Sequence, residues 1–499
     1  MLETSILDGI QGRTAGAGGP ARRLARRCAG GVAVALLAAL LAGCNTLCPG
    51  GLPPGVYVQG SIQPACDARF LGDMTFVDAT GVRQSDQSIF ADVLKLVEEA
   101  QSFIVADMFL YNEWTGISTT PGRALTRELT EALLAKKQRR PECLILLITD
   151  PINTAYGGVR AAHLEQLRAA GIIVVETNLD ELRDGSGLYA LLWRLLVRPF
   201  GNSPGGLLPN PFGPGRVSLR TYLSLLNFKA NHRKVIVADP GGVLTAVVTS
   251  ANVNDGSSAH SNVAVRFGGP AVLELLGCEL AAAAFSGVQV DLLVPTQSVS
   301  ACAPTVTAQI VTERSIKEAV LEALNRARLG DEVDLVMFYL ADRYVIRALT
   351  AAQRRGARLR LVLDPNKDAF GYQKNGIPNR QVGRGLHDAG IPLRWYNTHG
   401  EQCHAKMLLV RYGDGQTTLI TGSANYTWRN LDNINLEANV VLRGPTTERV
   451  MRDARRYVDT IWDNLDGRSC TVDYQRYADP SPLRRGEFLL MDWTGIGPF

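Results

Sequence analysis

The sequence has little excess charge of either sign, no metal-ligand spacing and no apolar run long enough for a comfortable membrane span. Its 52 Lys and Arg stand against 48 Asp and Glu, a formal net charge of +4. So small a surplus leaves no broad basic footprint of the kind that non-specific nucleic-acid binding needs, which counts against a nuclease without excluding a local basic groove. The nine cysteines include no C-x-x-C pair and no Cys/His cluster at metal-ligand spacing, so no metal is implied. The apolar run Ala29 to Ala42 is short and rich in small residues, which excludes an ordinary spanning helix there. Large-scale disorder is not expected, since 46% apolar and 20% charged residues are ordinary for a globular protein. A chain of 499 residues suffices for two domains or one large duplicated one.

What is present begins with a leader. Arg22, Arg23, Arg26 and Arg27 precede the apolar run, in the order of a secretory signal peptide; an uncleaved signal anchor is the alternative, and both place the body outside the cytoplasm. The run ends in Leu41-Ala42-Gly43-Cys44, which resembles a bacterial lipobox. That resemblance implies cleavage after residue 43, lipidation of Cys44 and, with Asn45 following, sorting to the outer membrane facing the periplasm. Residues 1–43 hold five Arg and two acids, so their removal lowers the charge from +4 to +1. From Cys44 to about Arg69 the chain is rich in Pro and Gly, as a tether would be. Cys48, Cys66, Cys143, Cys278, Cys302, Cys403 and Cys470 follow; an exported location permits disulfides, but spacing does not give their pairing.

One polar constellation occurs twice. Cys403-His404-Ala405-Lys406 opens an apolar, β-branched stretch that turns at Tyr412-Gly413-Asp414-Gly415 and returns to Gly422-Ser423-Ala424-Asn425. Asn231-His232-Arg233-Lys234 likewise runs through Asp239-Pro240-Gly241-Gly242 and returns to Thr249-Ser250-Ala251-Asn252. Each reads as a β-hairpin, and residues i and i+2 of a strand share a face, so each His points with its Lys. Hydroxyl, amide and backbone N–H groups at the far corner complete a set of anion donors. Core packing preserves apolar pattern and lets polar residues drift; a duplicated polar set points to chemistry.

These residues resemble the phospholipase D superfamily, whose paired H-x-K…D…G-S-x-N motifs come from two halves and meet at one active site. The resemblance covers most of the chain after the leader. It implies catalytic His232, His404, Lys234 and Lys406, with phosphate-binding Ser250, Asn252, Ser423 and Asn425. Glu437, after the second motif, matches a family acid that orients a catalytic imidazole; the aligned first-half residue is Ala264. Three departures stand out: Thr249 replaces the motif Gly, Arg411 stands where the second motif Asp belongs, and each hairpin is a few residues long. Asp239 and Asp414 both sit at hairpin turns, where a turn-forming role is expected.

Around the motifs, helix and strand periodicities alternate. Helix 89–100, strand 102–110, helix 123–137, strand 144–150, helix 163–170 and strand 172–175 are matched by helix 316–328, strand 333–340, helix 345–355, strand 359–364, helix 382–389 and strand 391–395. Asp150-Pro151 through Tyr156-Gly157 repeats as Asp364-Pro365 through Phe370-Gly371, D-P-x-x-x-A-aromatic-G, after corresponding strands. The expected fold class is α/β: two tandem α/β/α repeats of the phospholipase D kind, with mostly parallel sheets and one shared site at their interface. Repeat one spans about 70–300 and repeat two about 301–475, followed by a tail, 476–499. From Asp-Pro to H-x-K is 82 residues (150 to 232) in the first repeat and 40 (364 to 404) in the second, so the first carries an insertion, about 176–228. Its segment from Leu188 to Phe200 is apolar with Arg194 and Arg198 on one face; it rests on lipid headgroups, caps an acyl groove, or packs on the body.

A phosphodiester repels nucleophiles, so its catalyst must neutralise oxygens, supply a nucleophile near neutral pH and protonate the leaving alkoxide. Two Lys and the Ser/Asn donors serve the first need, and two imidazoles divide the other two. No cofactor or metal is required. The sequence thus points to a phospholipid-active phosphodiesterase or phosphatidyltransferase of the phospholipase D or cardiolipin synthase kind, working through a phospho-histidine on His232. It would be monomeric, because both half-sites lie in one chain, and in contact with a phospholipid membrane. An exported nuclease and a non-catalytic lipid-binding envelope protein are the alternatives; His163, His260, His387 and His399 lack the H-x-K context and are expected to be non-catalytic.

Overall fold

The computed structural model describes residues 51–499 except 118–121, 186, 293, 295–297, 300–304, 495–496 and 498–499. The leader 1–43 and Cys44 lie outside the described residues. Two large sheets organise the rest. The first orders eight strands as Arg83–Asp86, Cys66–Val77, Asn262–Gly268, Thr245–Thr249, Lys234–Pro240, Ala100–Met108, Leu144–Thr149 and Ile173–Glu176. The second orders nine, as Gln63–Pro64, Thr307–Thr312, Ala438–Pro445, Gln416–Gly422, Lys406–Arg411, Glu332–Met337, Arg358–Leu363, Leu393–Tyr396 and Thr471–Asp473. From Asn262–Gly268 to Ile173–Glu176 and from Ala438–Pro445 to Leu393–Tyr396 the two orders correspond strand for strand, the second sheet adding Thr471–Asp473 at its edge, so the α/β duplication read from the sequence is present.

The expectation of mostly parallel sheets is corrected. Parallel pairing is confined to the strands joined through helices, Ala100–Met108 with Leu144–Thr149 and Ile173–Glu176, and Glu332–Met337 with Arg358–Leu363 and Leu393–Tyr396. Each H-x-K strand returns through a hairpin and lies antiparallel to both neighbours. Helical crossovers produce parallel neighbours and hairpins antiparallel ones, and each repeat uses both.

Helices Ile89–Glu99 and Leu125–Arg139 cover the outer face of the first sheet; Arg314–Arg326 and Arg343–Arg354 cover that of the second. The last shows why such a stretch is helical. Asp342 caps it by accepting from the Tyr344 and Val345 N–H groups at 2.9 and 3.0 Å, and Val345, Ala348, Leu349 and Ala352 fall on one buried face. The inner faces of the two sheets share one core, with Val235, Val237 and Val248 facing Met407, Leu409 and Leu419. Helices Ala271–Phe285 and Arg449–Asp463 join that core.

The chain enters the body earlier than the expected tether boundary at 69. Val56 is fully buried, and the Gly60 N–H donates to the Ile310 carbonyl at 2.8 Å, because the edge of the second sheet leaves backbone donors and acceptors that residues 58–64 satisfy. Cys66 is disulfide-bonded, whereas Cys143, Cys278, Cys403 and Cys470 are buried free thiols. The tail forms helix Pro482–Thr494, tied back by a 2.9 Å bond from Arg343 Nε to Asp492.

Arg233, between His232 and Lys234, is fully buried and joins the halves. It donates to Val56 O at 2.9 Å, to Glu313 Oε1 at 2.8 Å and to the Cys278 carbonyl at 3.3 Å, with Glu279 at 3.4 Å. Burial pushes the Glu313 carboxyl up to about 7 against the opposing pull of Arg233. Replacing Arg233→Met leaves these acids without their cation and is expected to cost ~3–5 kcal/mol of unfolding free energy at pH 8. A carboxyl whose folded pKa lies above its unfolded value binds more protons when folded, so its contribution falls as pH rises. The deficit is therefore expected to be smaller at pH 5 than at pH 8 in denaturant unfolding, and an equal deficit at both would contradict this account.

Candidate active site

The residue before each motif His pairs across to the other half. The His232 N–H donates to Leu436 O at 2.9 Å and the His404 N–H to Ser261 O at 2.8 Å, within two short parallel bridges, Asn231 with Leu436 and Ser261 with Cys403. Each motif His is thus held at its backbone by the other half. Side chains repeat the pattern. His232 Nδ1 lies 2.8 Å from Glu437 Oε1, and His404 Nδ1 lies 3.2 Å from Asn262 Oδ1. Lys234 Nζ donates to the carbonyl of His232 at 2.6 Å and Lys406 Nζ to that of His404 at 2.8 Å, so the shared face expected of positions i and i+2 is observed in both strands.

Several expected roles change. The counterpart of Glu437 is Asn262 rather than Ala264. Ser250 and Ser423 do not present free hydroxyls for phosphate: Ser250 Oγ donates to Asn262 Oδ1 at 2.9 Å and accepts from Val263 N–H at 3.0 Å, whereas Ser423 Oγ donates to Glu437 and accepts from Ala438 N–H at 3.0 Å. Both hydroxyls brace the groups that orient the imidazoles. Asn252 and Asn425 do line the cleft, and neither carbonyl oxygen has a hydrogen-bond partner among the described residues.

The departures from the motif have structural reasons. A Cβ on Gly422 would lie 2.3 Å from the Ala438 carbonyl. Gly422 faces Asn439, whose Oδ1 accepts from Ala424 N–H at 3.1 Å; Thr249 faces Ala264, and its own hydroxyl accepts from Ala251 N–H at 3.0 Å. The same N–H is satisfied in each half from opposite strands. Asp239 is not chiefly a turn residue, since its carboxylate accepts from Gln101, Ser102 and Phe103 N–H groups at the start of the neighbouring strand. Arg411 pairs there with Glu332 and Asp334. Asp414 does form the turn, accepting from Gln416 N–H at 3.0 Å.

Sequence reasoning left out a second tier. Asp150 Oδ2 accepts from Asn231 N–H and Asp364 Oδ2 from Cys403 N–H, both at 2.7 Å, fixing the residue before each His. Burial pushes both carboxyls up to about 7. Phe109 packs against His232 at 4.7 Å and Phe338 against His404 at 4.9 Å. The D-P-x-x-x-A-aromatic-G repeat and the Met-Phe pair at 108–109 and 337–338 were the available signals. His260 also lines the cleft, 5.9 Å from His404; its Nδ1 accepts from Gln402 N–H at 3.3 Å, and its Nε2 has no partner among the described residues. His163 instead bonds the Tyr111 carbonyl and His387 stacks on Tyr474, both away from the cleft.

Electrostatics follow from burial. Desolvation pushes His232 down to about 4, against the raising effect of Glu437. His404 is held well below the usual imidazole range by burial and then by Lys406. Burial lowers Lys234 to about 7, and burial with the neighbouring Lys234 lowers Lys406 further. Glu437 is opposed by burial, yet His232, Lys234 and Ser423 hold it below the usual carboxylate range. Burial thus works against the charged forms of both imidazoles and both lysines, and an anion bound beside them would favour those charged forms. The cleft holds about 550 Å³. Its walls are mainly apolar and aromatic, with Ile152, Tyr222, Leu225 and Phe228 on one side and Tyr339 and Phe370 on the other.

Residues 320–462 match the family model described as cardiolipin synthase, PLD-like domain. No curated protein is similar in sequence. Among solved structures, phosphatidylserine synthase from Haemophilus influenzae Rd KW20 superposes with a TM-score of 0.52 at 9% identity, covering 87% of this chain and 96% of that one. Polyphosphate kinase from Porphyromonas gingivalis follows at 0.43 and 14% identity, over 81% of this chain and 51% of that one. The phospholipase D family member Nuc from Salmonella typhimurium follows at 0.25 and 18% identity, over 34% of this chain and 99% of that one. The match to the family model is confined to residues 320–462, and the fold of the whole chain is similar to that of the phosphatidylserine synthase structure.

Proposed function

We propose that this chain is a metal-independent phosphodiesterase or phosphatidyltransferase acting on phospholipids in the cell envelope, anchored through Cys44. The observation that carries the reading is the convergence of His232 and His404, each backed by its motif Lys, on one cleft whose walls are mainly apolar. A polynucleotide site would need a basic track for a continuing backbone; this cleft is lined mainly by apolar and aromatic side chains, with Lys229, Lys374 and Arg429 as its basic lining residues.

In the first step neutral His232 Nε2 attacks phosphorus, while the Nδ1 proton stays on the hydrogen bond to Glu437. The bond from phosphorus to the alcohol oxygen breaks, and His404 Nε2 gives its proton to that oxygen. In the second step His404 takes a proton from water or an alcohol, whose oxygen attacks phosphorus and releases His232 Nε2. Water yields phosphatidic acid and an alcohol yields a new phosphatidyl ester. Lys234 and Lys406 stabilise charge on the non-bridging oxygens. The role assignment rests on the unequal partners: a carboxylate behind His232 supports the positive charge that grows there during attack, and an amide behind His404 leaves that imidazole the readier proton donor. Substrate charge raises the His404 pKa in the complex.

With labelled phosphatidylglycerol in EDTA, with and without glycerol, the protein is expected to release phosphatidic acid or form a transferred lipid. His232→Ala and His404→Ala are each expected to abolish turnover, and an acid-labile phosphatidyl adduct on His232 should be trapped by rapid quench. Cleavage of DNA or RNA with no lipid product would overturn the reading.

Glu437→Gln is expected to lower kcat by roughly 10²–10⁴-fold and to move the acid limb of kcat/KM, set by His232 at about 4 before substrate binds, to lower pH. Asn262→Asp adds a negative charge at His404 Nδ1, so the basic limb of kcat should move to higher pH. Unmoved limbs in both pH profiles would refute the assigned roles.

A further inference from the structure

The insertion does more than enlarge the first repeat. Its first helical segment turns Ala190, Leu191 and Trp193 inward, which is the packing role weighed from the sequence. Other large apolar side chains of the insertion face solvent: Leu195 is 56%, Leu196 64%, Phe200 68%, Leu207 87% and Leu219 62% exposed. Exposed apolar residues this large, drawn from one continuous stretch, mark an interaction surface rather than ordinary scatter. The ridge connects to the cleft. Helix Leu219–Leu225 places Leu219 outside and Tyr222 and Leu225 in the cleft wall, and Leu226 is both 44% exposed and a lining residue.

Charge identifies what the ridge meets. From Gly185 to Ala238 the chain contains no Asp or Glu. Arg194, Arg198 and Lys229 pair with Asp180 and Asp184, just before that stretch. Arg216 and Arg220 have no carboxylate partner among the described residues. Arg216 donates to the Leu207 carbonyl at 2.7 Å, and Arg220 lies 4.9 Å over the Trp193 ring and donates to the Phe200 carbonyl. Two uncompensated guanidinium groups thus sit at the base of the loops that carry Leu207 and Phe200. Apolar tips above basic side chains form the surface that enters the acyl boundary of a bilayer while its cations meet anionic headgroups.

We infer that the insertion is a bilayer-docking surface for membranes rich in anionic phospholipid, seated so that a lipid passes over Leu226 into the cleft. This deepens the phospholipid reading by naming the surface that meets the substrate's membrane. Whatever else tethers the chain, docking must bring this face into lipid and leave the opposite end of the sheets outside it. Leu329, 82% exposed, precedes strand Glu332–Met337, whose far end leads to Phe338 at the cleft, and supplies the control.

The full chain carrying dansylalanine in place of Leu196 or of Leu329 would be mixed with phosphatidylcholine vesicles with and without phosphatidylglycerol. The expected result is a blue shift at position 196, larger with phosphatidylglycerol and quenched by brominated lipid, and no shift at 329. No binding, an unshifted label at 196 on vesicle-bound protein, or equal shifts at both positions would overturn the inference. In the triple variant L195E/L196E/F200E, turnover of vesicle phospholipid is expected to fall by at least about tenfold, with turnover of a monomeric short-chain phospholipid unchanged; equal losses on both would also count against docking. Failure of the parent protein to turn over either substrate would sink the proposed activity, while the fluorescence would still decide the surface.

Discussion

The buried guanidinium of Arg233 is the point on which the two halves turn. It lies within the first H-x-K motif, yet its partners are Val56 in the entering segment, Cys278 and Glu279 in the central helix and Glu313 at the start of a second-repeat helix. The same Glu313 oxygen accepts the Glu437 N–H at 3.1 Å, and Glu437 holds His232. A motif residue with no chemical role thus connects first-half backbone to the second-half carboxylate that orients the first-half imidazole. A cation so deeply desolvated persists only with several acceptors around it, and those acceptors come from every part that must be brought together.

Around that junction the duplication is faithful in backbone and free in side chains. Glu437 corresponds to Asn262, Gly422 with Asn439 to Thr249 with Ala264, and Arg411 with its acids to Asp239 with its backbone donors. In each case one physical need is met by a different donor or acceptor: an imidazole to orient, an N–H to satisfy, a strand start to fix. The unequal orienting groups matter most for chemistry, since two imidazoles with identical surroundings would have no reason to take different protons.

Much of this was legible in the sequence. The alternation around His232 and His404 gave both hairpins, and the repeated Asp-Pro stretch gave the duplication, because period and punctuation are local. What was missed depends on registry across strands. Ser250 is 12 residues from Asn262, but Ser423 is 14 from Glu437, and the second connection includes the short helix Trp428–Leu431. An ungapped alignment therefore slides to Ala264. The hydroxyls of Ser250 and Ser423 looked free for the same reason: the acceptors that occupy them lie on a neighbouring strand. The antiparallel share of each sheet went unread because strand-helix alternation describes only the part of a repeat built through crossovers.

Each imidazole takes its backbone acceptor and its side-chain orienter from the opposite repeat, an arrangement with the reciprocity of a two-fold subunit interface closed into a single polypeptide. Neither repeat holds its own imidazole in place. A small rigid-body rotation between the sheets would release both imidazoles together while leaving each repeat's own hydrogen-bond ladder whole.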